Sequence, residues 1–214
     1  MAGETLSQIR TACRVEIRDV NSATWSDTEV DQMINAAIDW LNGFYPKEQI
    51  ISVPYTQPIS GSVFSVTLST VEDFWPFRVD VYDKDGKYRQ TIMSSNQEGP
   101  DSGWDYFADT LFLPPHYALP TPGTLSVLGY SHEPQLSSST QTTSLNSSAL
   151  SSLRSFVGAH AFERLLSDRA AFQQWQVQSG NSDVSALSMN QITLSNQARV
   201  RQEERRLRRL RRLG

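Results

Sequence analysis

Residues 25–46 read WSDTEVDQMINAAIDWLNGFYP, and they form the best-marked element of the chain. Ser26 and Glu29 make a Ser-x-x-Glu capping box, in which each end of the pair satisfies a free backbone amide. Trp25 before the cap and Val30 after it stand at the hydrophobic-staple positions. Val30, Met33, Ile34, Ala37, Ile38 and Leu41 recur at steps of three and four, so they line one face of a helix. Gly43 suits a C-terminal cap, and Pro46 cannot continue the helix. The spacing predicts a helix over 27–42, with Asn35 and Asp39 on its polar side.

Upstream, Leu6, Ile9, Cys13, Ile17 and Val20 keep the same period and predict a first helix over 5–19. Asp19, Asn21 and Ser22 then break it. Downstream, from Gln49 to His132, the period changes to two. The segments 63–68, 77–83, 87–93, 110–114 and 124–132 read as strands. Asp83-Lys84-Asp85-Gly86 reads as a hairpin turn with Gly86 in the left-handed position. Pro54, Pro58, Pro76, Pro100, Pro114, Pro115, Pro120 and Pro122 sit at strand edges and in loops. A five- or six-stranded antiparallel sheet, small sandwich or open barrel is expected. Residues 134–152, rich in Ser and Thr, read as a connecting loop running into a helix start. A long helix over 148–178 follows, with Leu150, Leu153, Val157, Ala161, Leu165, Phe172 and Trp175 as its apolar stripe. Gly180-Asn181 ends it, and residues 181–195 read as a polar linker.

The fold class expected is therefore α+β. The domain reading is residues 1–46 as two helices of a small helical domain and 47–133 as an antiparallel β insert. Residues 134–180 hold a linker and the third helix, and 181–214 a linker and a C-terminal docking helix beginning near 195.

The C-terminus, RVRQEERRLRRLRRLG, inverts the charge of the chain. Its eight arginines and two glutamates give +6, whereas residues 1–198 hold 11 basic and 21 acidic residues, net −10. Such asymmetry marks an interaction tail. Leu207, Leu210 and Leu213, with Val200 before them, put a narrow apolar stripe among Arg201, Arg205, Arg208, Arg211 and Arg212. A helix this short is marginal alone in water and orders against something else. A docking helix for a protein groove uses both leucines and arginines. A phosphate-binding arm uses the arginines only, and a solvated terminus uses neither. The tail reads as dispensable for folding, because it is polar and set apart by the linker.

No run of about 18 apolar residues is present, so no membrane helix is expected. The first residues lack a signal-peptide pattern, and the single Cys13 excludes an internal disulfide and fits a reducing cytoplasm. Cys13 falls on an apolar helix face and reads as core. The Asp83-x-Asp85-Gly86 stretch is not a calcium loop, because the first and last ligand positions would fall on Val81 and Ile92. His116, His132 and His160 lack partners at metal-ligand spacing. Glu72 and Asp73 are adjacent and point to opposite faces of a strand, which rules out an acid–base pair there. Trp75, Trp104, Tyr106, Phe107 and Tyr130 suggest either a sugar platform or the filling of a small β core. Neither catalytic residues nor a cofactor or metal site is expected, and no enzyme activity.

The N-terminal pattern TLSQIRTACRVEIRDVNSATWSDTEVDQMINAAIDWL resembles the start of head-to-tail adaptor proteins of tailed bacteriophages. The matching positions are Trp25, Ser26, Asp27, Glu29, Ile34, Asn35 and Ala37. The β insert with its Asp-x-Asp-Gly turn and the GTLSVLGYSHEP segment is similar to the adaptor subtype that carries a β domain between helices. The helix over 148–178 is similar to that family's third helix. The resemblance covers most of the chain, through short structural motifs; the arginine density of the C-terminus departs from many relatives. It implies a ring, usually of twelve copies, beneath the portal in the virion neck, made in the host cytoplasm. The ring would extend the DNA channel and carry the next tail or neck protein. DNA would be only channel content, and no membrane is involved. The resemblance also implies that Val200, Arg201, Arg205, Leu207, Arg208, Leu210, Arg211, Arg212 and Leu213 dock on the portal protein.

Overall fold

The computed structural model describes residues 3–56, 64–68, 73–98, 103–114, 119, 121–178 and 180–211, with the side chains of Glu98 and of 207–211 left out. The chain is α+β. In order it runs α1 (Leu6–Glu16), α2 (Asp27–Asn42), β1 (Lys47–Tyr55), β2 (Phe64–Thr67), β3 (Trp75–Asp83), β4 (Tyr88–Ile92) and α3 (Ser95–Glu98). It continues with β5 (Asp105–Phe107), β6 (Thr110–Leu113), β7 (Gly123–Ser131), α4 (Ser147–Ser167), α5 (Arg169–Gln178) and α6 (Ala186–Arg211). Two compact units result: Met1–Pro46 with Glu133–Gly214, and Lys47–His132 between them.

In the helical unit, α2 begins and ends where its sequence places it. Ser26 and Glu29 form both bonds of the capping box, and Trp25 and Val30 are buried beside it. Helix α1 is shorter than the expected 5–19. Its cap is Thr5, boxed with Gln8, and its last residue is Glu16. The reason is Asp19, which does more than break the helix. Its wholly buried carboxylate accepts hydrogen bonds from the amides of Ala23, Thr24 and Trp25, and pairs with Arg14 at 3.2 Å. The loop from α1 to α2 is folded around that one side chain.

Asn35 and Asn42 are not idle polar residues. Each side-chain amide exchanges two hydrogen bonds with one backbone position, Asn35 with Leu136 and Asn42 with Glu133. They tie the segment after the β unit along α2. Glu133 is itself buried and accepts from Thr143 and Ser144, so the Ser/Thr-rich stretch is a pinned connection. Leu136 and Leu145 from it enter the helical core.

The expected long helix over 148–178 is two helices. Asp168, in an extended conformation, ends α4 and its carboxylate caps the amides of Ala170 and Ala171 at the start of α5. The apolar stripe survives the break: Leu150, Leu153, Val157, Ala161, Leu165, Phe172 and Trp175 are all buried.

The larger correction concerns 181–195. Helix α6 starts at Ala186, with the Ser185 hydroxyl accepting from the Ser188 amide. It packs along α4 through buried Met189, Thr193 and Asn196. This stretch is a structural helix, so the reading of 181–195 as a polar linker, with the tail helix beginning near 195, is corrected: the helix begins at Ala186. Asn181, also buried, donates to the carbonyl of Arg18.

The β unit holds two antiparallel sheets among the described residues, ordered β1-β7-β3-β4 and β2-β6-β5. Val79, Val81, Leu125 and Val127 of the first share one core with Leu111 and Leu113 of the second. Strand β1 adds to those expected. It is an edge strand, where Pro54 costs no sheet hydrogen bond. The Asp83–Gly86 turn has Gly86 at φ 73°. The Asp83 carboxylate accepts from the amides of Asp85 and Lys87 and from Arg89. Those bonds, the Lys87 amide first, hold its pKa below the usual carboxylate value.

Candidate docking helix

Helix α6 lies antiparallel to α4, and its inward positions follow a seam of alternating four- and three-residue steps. Met189, Thr193 and Asn196 are buried on that seam, and Val200 is half-buried. Val200 lines a groove of about 230 Å³ with Phe156, Ala159, His160, Glu163 and Arg201. Farther along, Ser152 Oγ donates to Glu203 at 3.2 Å, and Arg206 donates to Ser148 Oγ. Ser148 is only the second residue of α4. Positions 207 and 210 continue the seam's steps along the helix, toward and past the first turn of α4.

The structure thus places the expected docking residues in two groups. Val200, Arg201 and Arg205 lie on the described part of the helix, the two arginines exposed. Leu207, Arg208, Leu210 and Arg211 occupy its last turns, while Arg212 and Leu213 lie outside the described residues. The sequence stripe of Val200, Leu207 and Leu210 is the continuation of an intramolecular packing seam. Period alone did not expose the first half of that seam, because Thr193 and Asn196 are polar.

The remaining candidates are accounted for by structure. Cys13 is buried in the helical core, and burial pushes its thiol up to about 12, which leaves almost no thiolate at neutral pH. His160 stacks on Phe156, with ring centroids 6.3 Å apart. His132 Nδ1 lies 3.1 Å from Asp73. His116 and Glu72 are outside the described residues. The five aromatics of the conjectured sugar platform are dispersed. Trp104 is buried in the β core, Phe107 stands 75% exposed on β5 of one sheet, and Trp75 pairs with Tyr130 across β3 and β7 of the other.

Among the described residues, no group of three or more His, Cys, Asp or Glu is arranged to hold a metal, and no helix is long and apolar enough to cross a membrane. No family model matches this chain, and no curated protein matches it in sequence.

Proposed function

We propose that this chain is a structural subunit of the neck of a tailed bacteriophage: a head-to-tail adaptor without enzymatic chemistry. In this reading twelve copies form a ring beneath the portal protein. The ring extends the channel through which DNA passes and presents a platform to the next tail or neck protein. The subunit is made in the host cytoplasm and ends in the virion, with no membrane involved. What supports the reading most is the seam of α6. Its steps lead on to leucine positions at and past the first turn of α4, on a helix end of charge opposite to the body. An apolar stripe continued beyond its own support is a surface for a groove on another protein. The order of helix pair, β insert, helices and basic arm agrees with the resemblance.

Exposed Arg201 and Arg205 favour a second reading, a phosphate clamp on nucleic acid. One comparison separates the two. Burial of a leucine contributes about 1.5–3 kcal/mol, so Leu207→Ser with Leu210→Ser abolishes attachment to the portal of the same virion. Exposed ion pairs contribute about 0–1 kcal/mol each, so Arg208→Gln with Arg212→Gln weakens attachment less. Binding to double-stranded DNA reverses the order, and the arginine pair lowers the salt slope by about 1.8. Attachment that survives the serines and fails with the glutamines overturns the docking helix. Mass measurement of the assembled particle counts the copies.

A further inference from the structure

Helix α6 is gripped differently along its length. The proximal half, 186–196, is anchored by buried apolar contact: Met189 is wholly buried in the helical core, with Val184 just before the helix and Ile192 packed against the same cluster. The proximal half ends at Asn196, for which Gly158 leaves room, and the distal half faces the N-terminal turns of α4, where Ser152 and Ser155 are buried. Asn196 Nδ2 has no hydrogen-bond partner there. Beyond it, among the described residues, Val200 sits in its groove with Phe156 and Ala159, and the side-chain hydrogen bonds and ion pairs take over. Gln197 donates to Glu163 and Ser152 donates to Glu203 across the contact with α4, Arg199 meets Glu16 of α1 at 3.5 Å, and within α6 itself Glu203 pairs with Arg206 at 2.7 Å. Two glutamates, Glu16 and Glu203, thus neutralise part of a run of arginines. Arg201 and Arg205, one turn apart on the helix, repel one another.

We infer that the distal half of α6, from Gln197 to Arg206, is a latch. It rests on α4 through Gln197 on Glu163, Glu203 under Ser152 and Arg206 on Ser148, and on α1 through Arg199 and Glu16, and opens when a partner surface bearing carboxylates beside an apolar groove takes over the arginines and Val200. The inference rests on the docking reading above and adds its regulation: the self-contact sets a threshold that a partner must exceed, because binding competes with closure. Polar contacts of this kind open locally far below the cost of global unfolding. The proximal half stays fixed as the hinge.

Hydrogen–deuterium exchange on the full chain tests the latch without any partner. Amides of 199–206 exchange at least tenfold faster than those of 189–196. Glu16→Gln with Glu203→Gln speeds the distal amides a further threefold to tenfold and leaves the proximal ones unchanged. Equal protection of both halves, or rates in the distal half that ignore the glutamates as simple end fraying would, overturns the latch. Its use is tested by Ser152→Cys with Glu203→Cys joined by a short bismaleimide, with buried Cys13 left unmodified. The joined chain loses attachment to the portal at least tenfold, while the unjoined variant keeps it. Undiminished attachment of the joined chain overturns the opening step. A parent chain that never attaches refutes the docking reading, and the exchange pattern still decides the latch.

Discussion

Replacing Asp19 with Asn tests how the helical unit is built. Asp19 is wholly buried, and its two oxygens accept from Ala23 and Thr24 on one side and from Trp25 and Arg14 on the other. Asparagine fills the same volume and keeps one oxygen. Its amide nitrogen, a donor, then faces donors from Trp25 and Arg14 or from Ala23 and Thr24. Arg14, only 6% exposed, loses its buried countercharge and keeps Asp27, whose side chain is 57% exposed. Removing one partner of a buried pair costs about 3–5 kcal/mol. The surviving Asp27 contact puts the expected loss at the lower end, about 3 kcal/mol. For a cooperative unit of this size that lowers the melting midpoint by about 10 °C. Circular dichroism at 222 nm follows it, with Asp31→Asn as the control. Asp31 pairs with Arg10 through two bonds in a part-buried setting, but Arg10 keeps Asp27, so its loss shifts the midpoint by about 5 °C or less. A shift for Asp19→Asn no larger than the control's refutes the claim that this carboxylate organises the loop.

Truncation separates the halves of α6. A chain stopped after Ala198 keeps buried Met189, Thr193 and Asn196 and melts within a few degrees of the parent. A chain stopped after Ser185 loses them all; Met189 alone is worth about 2–5 kcal/mol, so its midpoint falls by about 10 °C or more. Equal loss in both chains contradicts the described packing. Mild acid provides another check. Asp27 is held below its ordinary pKa by the hydrogen bond from Arg14, with the charges of Arg10 and Arg14 adding to it. Glu29 is held below its own by the Ser26 amide, with Arg164 contributing. A depressed carboxylate stabilises the fold above its unfolded pKa and loses that contribution as pH falls through the folded one. Stability therefore declines below about pH 4.5 and continues to fall beneath pH 3.8, the ordinary values of the two groups. In Asp27→Asn with Glu29→Gln, chemical-denaturation midpoints show a shallower decline over that range.

The fold was legible where local signals and burial agree. Helix α2 is capped, stapled and apolar on one face, so its bounds follow from its residues. The break at Asp168 was hidden because Leu165 and Phe172 are seven residues apart, a spacing that suits an unbroken helix and a capped restart equally. Strand β1 alternates in burial, yet Pro54 argues against a strand until its edge position is known. Asp19 looked like a helix breaker because its partners, Arg14 and the Trp25 amide, meet only once the loop has closed. At the candidate site the leucine spacing was visible, but the seam it extends was masked by Thr193 and Asn196, whose side chains are buried without being apolar.

The register of β1 on β7 bears on how such a chain changes over time. Lys47, the first residue of the β unit, is the sheet partner of Ser131, next to its last. Paired strands lie about 4.8 Å apart, so the insert departs from and returns to the helical unit at almost one point. For the helices it is a loop already closed, and closure entropy grows only with the logarithm of loop length. Asn42 and Asn35 receive the returning chain at Glu133 and Leu136 whatever has been traversed in between. The β unit is thus a cassette: strands can be gained, lost or exchanged for another closed module while the helical frame, with its arm, keeps the same ends to join.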